Sequence, residues 1–354
     1  MKFPVHITAL IAATSCISLP SLDTGSGKQT QPNPEQTFSV PVPKFAKGAD
    51  ISWVTEMEAN SYSFYSSSGI PTECTALMKE LGCNSIRLRV WVNPGGGWCN
   101  KEDVLVKALR ARKQGLAVMI DFHYSDSWAD PGKQNPPAAW KDMNVPEMAT
   151  ALAAHTKEVL QLLKENKIDV AWVQVGNETN TGMCWPNGSV SNNSAQGFVT
   201  LANAGYKAVK EVYPSAIVIL HHSNAQDYAA NEWFYGLVGA ASYDMIGLSL
   251  YPSYWQDGGY PDWTPFCKAA VENFAKLNQK FKKPVMLVEF GMPASEPEKA
   301  KAAFQYILDG VKGQDWFKGV FYWEPESEQS RNGYAYGAFK DGKSTGVLEL
   351  FKNY

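Results

Sequence analysis

The chain has 354 residues, a formal net charge of −3 and 45% hydrophobic residues. This length accommodates one large domain with a sizeable core. The near balance of charges lacks the basic surplus that nucleic-acid-binding proteins usually show, so no nucleic-acid partner is expected. Aromatic residues are frequent, with 12 Trp, 16 Tyr and 16 Phe, and many of them lie beside polar, Gly- and Pro-rich segments. Such a placement favours stacking on a ligand with a flat apolar face.

The N-terminus carries the pattern of an export signal. After Met1-Lys2, an apolar run over residues 5–13 is too short to span a bilayer. Residues 13–16 read Ala-Thr-Ser-Cys, and small residues directly before a cysteine resemble the bacterial lipoprotein cleavage box. Residues 1–16 are therefore predicted to be a signal peptide of the lipoprotein type, with Cys16 lipidated. Ordinary signal cleavage nearby, with Cys16 incidental, is the alternative.

The next segment, residues 17–44, is rich in Ser, Pro, Gln, Thr and Gly. A composition of this kind cannot bury enough apolar surface to fold, so the segment is predicted to be a flexible tether. The protein is accordingly expected to be exported. It is then a membrane-anchored lipoprotein at the cell surface or in the periplasm, or otherwise a secreted protein.

From residue 45 onwards, short β-branched runs alternate with longer helical stretches, and no Pro-rich linker divides them. The predicted strands are, in chain order, Gly48–Ser52, Ser85–Val92, Ala117–His123, Ala171–Glu178, Ile217–His222, Met245–Tyr251, Val285–Phe290 and Gly319–Trp323. The predicted helices include Lys101–Gln114, Val145–Asn166, Gly197–Val212, Pro265–Lys280 and Glu296–Gln314. Near-continuous apolar strands that alternate with helices indicate a parallel sheet buried on both faces.

Eight such units favour a single-domain α/β fold over residues 45–354, the closed (β/α)8 TIM barrel. No Gly-x-Gly-x-x-Gly follows the first strand, so an open dinucleotide-binding sheet has no support. In barrels of this type, the carboxyl ends of the strands and the loops after them form the active site.

Polar and aromatic side chains follow the ends of all eight predicted strands. From the first strand to the eighth they are Asp50; Arg87, Arg89 and Trp91; Asp121, His123 and Asp126; Asn177 and Glu178; His221, His222 and Asn224; Tyr251; Glu289; and Trp323 with Glu324. A single polar residue at a strand end is usually surface decoration. A ring of them directly after hydrophobic runs predicts a lined active-site cleft.

Glu178 and Glu289, at the ends of the fourth and seventh strands, form the most informative pair. Hydrolysis of an acetal between sugars needs a proton donor for the leaving oxygen and a carboxylate that stabilises the oxocarbenium-like carbon. In retaining enzymes the two carboxyls stand about 5–5.5 Å apart and one attacks to form a glycosyl-enzyme, a spacing that the mouth of a narrow barrel allows. Buried ion pairs at the barrel rim are the alternative.

Three neighbours of the pair have expected supporting roles. The amide of Asn177 suits a hydrogen bond to the sugar 2-hydroxyl. Arg87 is expected to keep Glu289 ionised, and Tyr251 is expected to donate a hydrogen bond to Glu289.

Longer strings around these residues resemble glycoside hydrolase family 53. An Asn-Glu after the fourth strand with a second Glu after the seventh is the signature of clan A glycoside hydrolases. The family-specific strings are SIRLRVWVNP at residues 85–94, IDFHYSDSWADP at residues 120–131, VGNE at residues 175–178 with Trp185-Pro186, and FYWEP at residues 321–325. The resemblance covers essentially residues 47–354.

This resemblance implies an arabinogalactan endo-β-1,4-galactanase, which hydrolyses the galactan side chains of pectin with retention, by double displacement. It makes Glu178 the acid/base and Glu289 the nucleophile. It also places in or near the subsites Asp50, Arg87, Trp91, His123, Asp126, Trp128, Asn177, Asn224, Tyr251 and Trp323. Trp255, Tyr260, Trp263 and Tyr334 are further candidates for stacking platforms, with packing under their own loops as the alternative.

The cysteines do not form a regular disulfide pattern. There are six, or five if Cys16 carries lipid, and an odd count argues against a full disulfide framework. A disulfide between Cys99 and Cys184 is left open, because both are expected in loops on one barrel face. Plain buried thiols are predicted at Cys74, Cys83 and Cys267.

No metal or other cofactor is predicted. The chain has no CxxC or HExxH spacing of a zinc site. Some bacterial members of the family carry a structural calcium near the loops after strands seven and eight. Residues 291–297 show no alternating Asp or Asn ligands that would indicate such a site here.

Two other functions stay open. Another clan A β-1,4-glycanase, such as a mannanase, would use the same carboxylates with different subsite walls, and the fold cannot separate the two. A non-catalytic sugar-binding barrel would keep the cleft and lose the chemistry. Such decay normally removes a catalytic carboxylate, and both are present. The expected partner is β-1,4-galactan, and the expected oligomeric state is a monomer.

Overall fold

The computed structural model describes residues 40–191, 194–253 and 262–354. Eight parallel strands close into a barrel in chain order, with the last strand pairing with the first. They are β1 (Ala46–Asp50), β2 (Ser85–Val90), β3 (Ala117–Phe122), β4 (Val170–Val175), β5 (Ile217–His222), β6 (Met245–Leu250), β7 (Val285–Phe290) and β8 (Phe317–Trp323). The predicted TIM barrel is confirmed.

Helices lie between the strands and cover the outside of the barrel. They are α1 (Val54–Ala59), α2 (Cys74–Glu80), α3 (Lys101–Lys113), α4 (Val145–Glu165), α5 (Gln196–Val212), α6 (Tyr228–Leu237), α7 (Thr264–Phe281), α8 (Pro297–Val311) and α9 (Gln329–Asn332). Two-residue hairpin strands pair Gly182–Met183 with Gly188–Ser189, and Phe339–Lys340 with Lys343–Ser344.

Side-chain caps explain why two of the predicted helices begin where they do. The Asn144 side chain accepts the backbone N–H of Glu147 at 3.0 Å, and the Glu147 carboxylate accepts the backbone N–H of Asn144 at 2.9 Å. This reciprocal capping box satisfies two backbone donors that the helix itself leaves unpaired. Asn100 starts α3 in the same way, by accepting the N–H of Asp103 at 2.8 Å.

Alternation along the strands divides the core into two layers. One layer fills the barrel interior and includes Met119, Trp172, Ile219 and Phe321. The other layer lies between the strands and the helices. Successive side chains of a strand point to opposite faces, so every second residue faces the barrel interior. Towards the carboxyl ends of the strands, these inward-facing residues become polar. On β3, for example, Ala117 and Met119 lead to Asp121.

An irregularity in β7 changes this alternation next to the predicted nucleophile. Leu248 of β6 pairs with Leu287, but the following residue, Ser249, pairs with Glu289. The other neighbour shows the same step, since Val320 pairs with Leu287 and Tyr322 pairs with Phe290. The extra residue therefore belongs to β7, which makes it a β-bulge of the kind that re-aims side chains near active sites. It turns Glu289 from the helix-facing series into the barrel mouth.

The strand ends and several helices differ from the sequence prediction. The fourth strand stops at Val175, because Gly176 has φ 91 and Glu178 has φ 41, and neither angle belongs to a strand. The pattern does not predict α1, α2 or α6. The first two have only 6 and 7 residues, and α6 is rich in aromatic residues, which are weak helix formers.

The structure answers the open question of a disulfide between Cys99 and Cys184. Cys99 and Cys184 are both buried free thiols, so the disulfide that the sequence left open is absent. Their sulfur atoms are directed at different backbone carbonyls, those of Ser52 at 3.6 Å and Tyr124 at 3.5 Å. Cys74, Cys83 and Cys267 are buried free thiols, as predicted.

The predicted signal peptide, residues 1–16 with Cys16, lies outside the described residues, as does most of the predicted tether at residues 17–44. Over the ranges that the structure does describe, no helix is long and apolar enough to cross a membrane. Those ranges also contain no group of three or more His, Cys, Asp or Glu side chains arranged to hold a metal ion.

Candidate active site

A tight turn after β4 delivers Glu178 to the barrel mouth. A side chain at Gly176 would place its Cβ 2.6 Å from Thr179 Cγ2, in a backbone conformation that L-residues rarely adopt. Glu178 itself has φ 41 and holds this conformation because its backbone N–H donates to His221 Nδ1 at 3.2 Å. Gln134 Nε2 donates to the carbonyls of Asn177 at 2.8 Å and Glu178 at 3.2 Å. Such backbone strain is typical of functional positions.

Glu289 is held at both carboxylate oxygens. Arg87 Nη2 donates to Glu289 Oε1 at 2.8 Å, and the Tyr251 hydroxyl donates to Glu289 Oε2 at 2.7 Å. Glu289 is buried, with 4% of its surface exposed. Both contacts favour the ionised form of the carboxyl, and the supporting roles expected of Arg87 and Tyr251 stay predictions.

Arg87 connects most of the predicted site. Its guanidinium, which is fully buried, donates to Asp50 Oδ2 at 2.6 Å and to Asp121 Oδ2 at 2.9 Å, in addition to Glu289. It also donates to Gln174 Oε1 at 2.7 Å and to Asn177 Oδ1 at 3.0 Å. A planar guanidinium whose N–H groups all donate to fixed acceptors is held rigidly. Arg87 therefore fixes the positions of its four other acceptors relative to Glu289.

Asn177 is oriented at both ends of its amide. Its Oδ1 accepts from Arg87, and its Nδ2 donates to the carbonyl of Ala129 at 2.8 Å. An amide nitrogen has two hydrogens, so the second hydrogen of Asn177 Nδ2 is available to a ligand next to Glu178. This placement suits the predicted bond to a sugar 2-hydroxyl.

The two glutamates titrate differently because their surroundings differ. Burial, followed by the negative charge of Glu289, raises the pKa of Glu178 to about 8. Burial also raises the pKa of Glu289, but Arg87 and the hydrogen bond from Tyr251 oppose it and hold the value at about 7. The two contacts that only Glu289 receives therefore favour the proton on Glu178. One protonated carboxyl facing one carboxylate is the state that a retaining glycosidase needs at the start of its reaction.

His123 stands in a neutral form between Asp121 and the aromatic residues. Its Nδ1 accepts from Trp91 Nε1 at 3.3 Å and from the backbone N–H of Ala129 at 3.0 Å. Two donors on Nδ1 leave the proton on Nε2, which faces Asp121 Oδ2 at 3.1 Å. Burial lowers the pKa of His123, in agreement with a neutral ring.

An aromatic wall stands beside the carboxylates. Trp128 contacts Trp91, Trp53 and Trp323 with ring-centroid distances of 5.1, 5.4 and 5.9 Å. The buried guanidinium of Arg89 lies 4.2 Å from the Trp128 centroid and donates to Glu324 Oε1 at 2.7 Å. This cation–π contact helps to hold the Trp128 ring in place. The predicted residues Trp91, Trp128 and Trp323 are therefore brought together.

Two predicted residues lie outside this centre. Asp126 accepts the backbone N–H groups of Asn93 at 2.9 Å and Ala138 at 2.9 Å, so it braces the loops at the rim. Asn224 is exposed, with φ 57, at the turn after β5. Their predicted places in or near the subsites stay predictions.

The four candidate stacking platforms fall into two groups. Trp255 and Tyr260 lie outside the described residues. Trp263 packs against Tyr306 of α8 at a centroid distance of 5.9 Å. Tyr334 packs edge-on against Trp323 at 4.7 Å and extends the aromatic wall.

The sequence interpretation did not single out Gln174, Ser249 and Trp53. Gln174 and Ser249 are fully buried polar residues inside otherwise apolar strands, β4 and β6. The signal that could have identified them in the sequence is a polar residue at an inward-facing position within an apolar strand. Trp53 opens α1 directly after β1 and had no distinguishing pattern.

The model of glycosyl hydrolase family 53 matches residues 46–353. A probable arabinogalactan endo-beta-1,4-galactanase A of Aspergillus terreus is 32% identical over 305 residues, which cover 79% of this chain and 85% of that protein.

Two solved structures resemble the chain over nearly their whole length. A structure from a study of two fungal beta-1,4-galactanases aligns with a TM-score of 0.78 and 26% identity, covering 87% of this chain and 98% of that one. The catalytic domain of a family 53 enzyme from Ignisphaera aggregans aligns with a TM-score of 0.76 and 26% identity, covering 88% and 98%.

Proposed function

The chain belongs to glycosyl hydrolase family 53, and on this premise we propose that it is an endo-β-1,4-galactanase that acts on type I arabinogalactan. The observation that carries the proposal is the pair of unlike carboxyls, Glu178 and Glu289, in the mouth of the barrel. Their surroundings differ, since only Glu289 contacts Arg87 and Tyr251, and both contacts favour its ionised form. The relatives named for galactanase activity support the choice of galactan.

In the first step, Glu289 attacks the anomeric carbon of a galactosyl unit while Glu178 donates its proton to the departing glycosidic oxygen. The bond from carbon to that oxygen breaks, and a glycosyl ester with Glu289 forms. The raised pKa of Glu178 keeps its proton available at neutral pH, and Arg87 with Tyr251 keeps Glu289 ionised for the attack.

In the second step, Glu178, now ionised, removes a proton from a water molecule that attacks the same carbon. The ester bond breaks, Glu289 leaves as a carboxylate, and Glu178 is protonated again. Two inversions give net retention. The Asn177 amide is proposed to bind the 2-hydroxyl, and Trp91, Trp128 and Trp323 to stack on neighbouring galactosyl rings.

The release of reducing ends from β-1,4-galactan and from β-1,4-mannan tests the substrate. We expect galactan to be cleaved into a mixture of oligosaccharides from the first minutes, as an endo-acting enzyme requires. Cleavage of mannan alone would contradict the proposal and would favour a mannanase of the same clan. The doubly substituted variant Glu178→Ala/Glu289→Ala, assayed in parallel, controls for contaminating glycosidases.

We also propose that the protein is exported and anchored through a lipid on Cys16, followed by a tether that reaches residue 44. The support is the short apolar run and the Ala-Thr-Ser-Cys sequence before the tether. Membrane fractionation tests this proposal: Cys16→Ala is expected to shift the protein to the soluble fraction, whereas Cys83→Ala is not. Equal membrane association of Cys16→Ala and the wild type would contradict it.

A further inference from the structure

A surface cavity lies between the segments that follow β1 and β8. The first segment contributes Trp53, Glu56 and Asn60 to its lining, and α9 contributes Ser330 and Arg331. This α1–α9 pocket has a volume of about 410 Å³, within the range of small-molecule sites. Because β1 and β8 are paired neighbours, both segments lie on the face of the barrel that carries the active site. The catalytic scheme above does not use the pocket.

Trp53 connects the α1–α9 pocket with the aromatic wall. Its ring lines the pocket and lies at centroid distances of 5.4 Å from Trp128 and 5.4 Å from Trp323. The residue is only partly buried. Since the same ring borders the pocket and the wall, a polymer that lies along the wall has a continuous path into the pocket.

The floor of the pocket is held by contacts within the protein. It is formed by the buried residues Met57 and Tyr62, and the Tyr62 hydroxyl donates to Glu328. On the α9 side, Asn332 Nδ2 donates to Ser327 Oγ at 2.9 Å. A ligand therefore meets a preformed surface, and little of its binding free energy is lost to ordering the protein.

The rim of the pocket offers polar groups that the protein does not use. In the part of the chain that the structure describes, the side chains of Glu56 and Arg331 form no hydrogen bond and no ion pair. Arg331 lies over the Tyr62 ring, 5.3 Å from its centroid, which limits its movement. One acceptor and one donor of opposite charge suit a ligand with several hydroxyl groups, because a hydroxyl both donates and accepts. They give no excess charge that would select an anion or a cation.

We propose that the α1–α9 pocket is a distal subsite that binds one further neutral sugar unit of the galactan chain, beyond those stacked on Trp91, Trp128 and Trp323. This inference rests on the proposed function. The Trp53 ring supplies an apolar surface for a sugar ring, while Glu56 accepts and Arg331 donates hydrogen bonds to its hydroxyl groups. Binding of a remote unit adds to the stabilisation of the transition state, so chains that reach the pocket are better substrates.

The experiment measures kcat/KM on linear β-1,4-galacto-oligosaccharides of increasing length. For the wild type we expect kcat/KM to rise at the length that reaches the pocket. In Glu56→Ala/Arg331→Ala we expect the ratio of kcat/KM on long chains to that on short chains to fall about fivefold or more, the effect of losing one hydrogen bond.

Glu80→Ala/Lys113→Ala is the matched control, because it also removes one acidic and one basic side chain that are exposed. Glu80 ends α2 and Lys113 ends α3, where the chain approaches the amino ends of β2 and β3. Both therefore lie at the end of the barrel opposite the active site. The ratio of the control should equal that of the wild type.

Ser330→Leu is a second test, since it fills space in the pocket without adding a hydroxyl group or an aromatic ring. Ser330 is exposed, so this change leaves the core intact. The ratio is again expected to fall, and this variant decides if Glu56→Ala/Arg331→Ala does not fold. A wild-type ratio in either folded variant would overturn the inference, as would a wild-type kcat/KM that does not rise with chain length.

The same assay separates this inference from the proposed function. A protein that cleaves no galacto-oligosaccharide of any length would refute the proposed function, and the distal subsite with it. Cleavage of these oligosaccharides with the wild-type ratio in the pocket variants would refute the distal subsite alone.

Discussion

At the scale of single residues, the account depends on two glutamates with different environments. Their types and positions could be predicted, because a catalytic carboxyl at a strand end stands out against an apolar run. The sequence also leads to the expectation that Arg87 and Tyr251 contact Glu289, but it could not predict that each of them holds a different oxygen of that carboxylate. Gln174 was missed because a glutamine within an apolar strand shows its connection to the site only through its contact with Arg87.

We predict that the two alanine variants differ in how their loss of activity depends on the substrate. Glu289→Ala should lose about 10³-fold or more in kcat on every substrate, because no nucleophile remains. Glu178→Ala should lose about 10²–10⁴-fold on galactan but much less at glycosylation of an aryl β-1,4-galactobioside with an activated phenol, which needs little acid assistance.

The measurement is a comparison of pre-steady-state and steady-state rates for both substrates. Glu298→Ala, which removes an exposed glutamate of α8, serves as the control and should retain wild-type rates. Equal losses on galactan and on the activated substrate in Glu178→Ala would contradict its role as the acid.

The pH dependence of kcat/KM follows from the same pair. The competent state has Glu178 protonated and Glu289 ionised, and burial places their pKa values at about 8 and about 7. As the pH rises through the upper value, Glu178 loses its proton and activity should fall. As the pH falls through the lower value, Glu289 gains a proton and activity should fall again.

A bell-shaped profile is therefore expected in initial-rate measurements on galactan, with the fold monitored by circular dichroism at each pH. A plateau that continues well above the pKa of Glu178 while the protein stays folded would show that no acid is needed. That result would contradict the assignment.

At the scale of secondary-structure elements, the alternation of inward and outward side chains along the strands predicts most of the site residues. Glu289 is the exception, because a β-bulge in β7 interrupts that alternation. The inward series on β2 carries Arg87 and Arg89, and that on β3 carries Asp121, as period-2 patterning requires. Glu289 breaks the pattern, because strict alternation in β7 would point it at the helices. The bulge between Leu287 and Glu289 could not be predicted, since a bulge depends on pairing with both neighbouring strands.

The segment after β7 places Tyr251 against Glu289. A Cβ at Gly291 would lie 2.7 Å from Tyr251 Cε1 and 3.1 Å from the Tyr334 hydroxyl oxygen. We predict that Gly291→Ala displaces the Tyr251 ring and weakens its 2.7 Å hydrogen bond to Glu289. A charged hydrogen bond contributes about 1.5–3 kcal/mol, so kcat/KM on galactan should fall about tenfold or more.

Gly236→Ala is the matched control, because no heavy atom lies within 4 Å of the Cβ that it would add on α6. Its kcat/KM should equal that of the wild type. Wild-type kcat/KM in Gly291→Ala would mean that the Tyr251 contact does not matter for the reaction.

At the scale of the whole molecule, the closed barrel explains why residues far apart in the chain share one mouth. Parallel strands bring all their carboxyl ends to one face, so eight predicted strands already imply one site. The last residues of the chain are also tied to β1, since Lys47 Nζ donates to the carbonyls of Phe351 at 2.9 Å and Tyr354 at 3.1 Å. The sequence could not predict this tie, which joins an inconspicuous lysine to backbone atoms.

We predict that catalysis needs only the barrel. A chain that starts at Val40 keeps β1 and the hydrogen bond from Val40 N–H to Asp169 at 2.9 Å. Its kcat/KM on soluble galactan should equal that of the longer chain, and its free energy of unfolding should differ by less than about 0.5 kcal/mol. A chain that starts at Ser52 lacks β1, which opens the barrel and exposes two strand edges, so it should not fold.

Denaturant unfolding and galactan assays on the two truncated chains test this expectation. A folded, active protein without β1 would contradict the view that closure of the barrel positions the site. A loss of activity in the chain that starts at Val40 would instead assign a catalytic contribution to the preceding residues.

The central claim is that Glu289 forms a covalent glycosyl-enzyme with the help of Glu178. A 2-deoxy-2-fluoro-galactobiosyl fluoride slows the second step more than the first, so the intermediate should accumulate. Mass spectrometry of the intact protein should then show one added galactobiosyl group, and the labelled peptide should contain Glu289. A label on any other residue, or none while the protein cleaves galactan, would contradict the account.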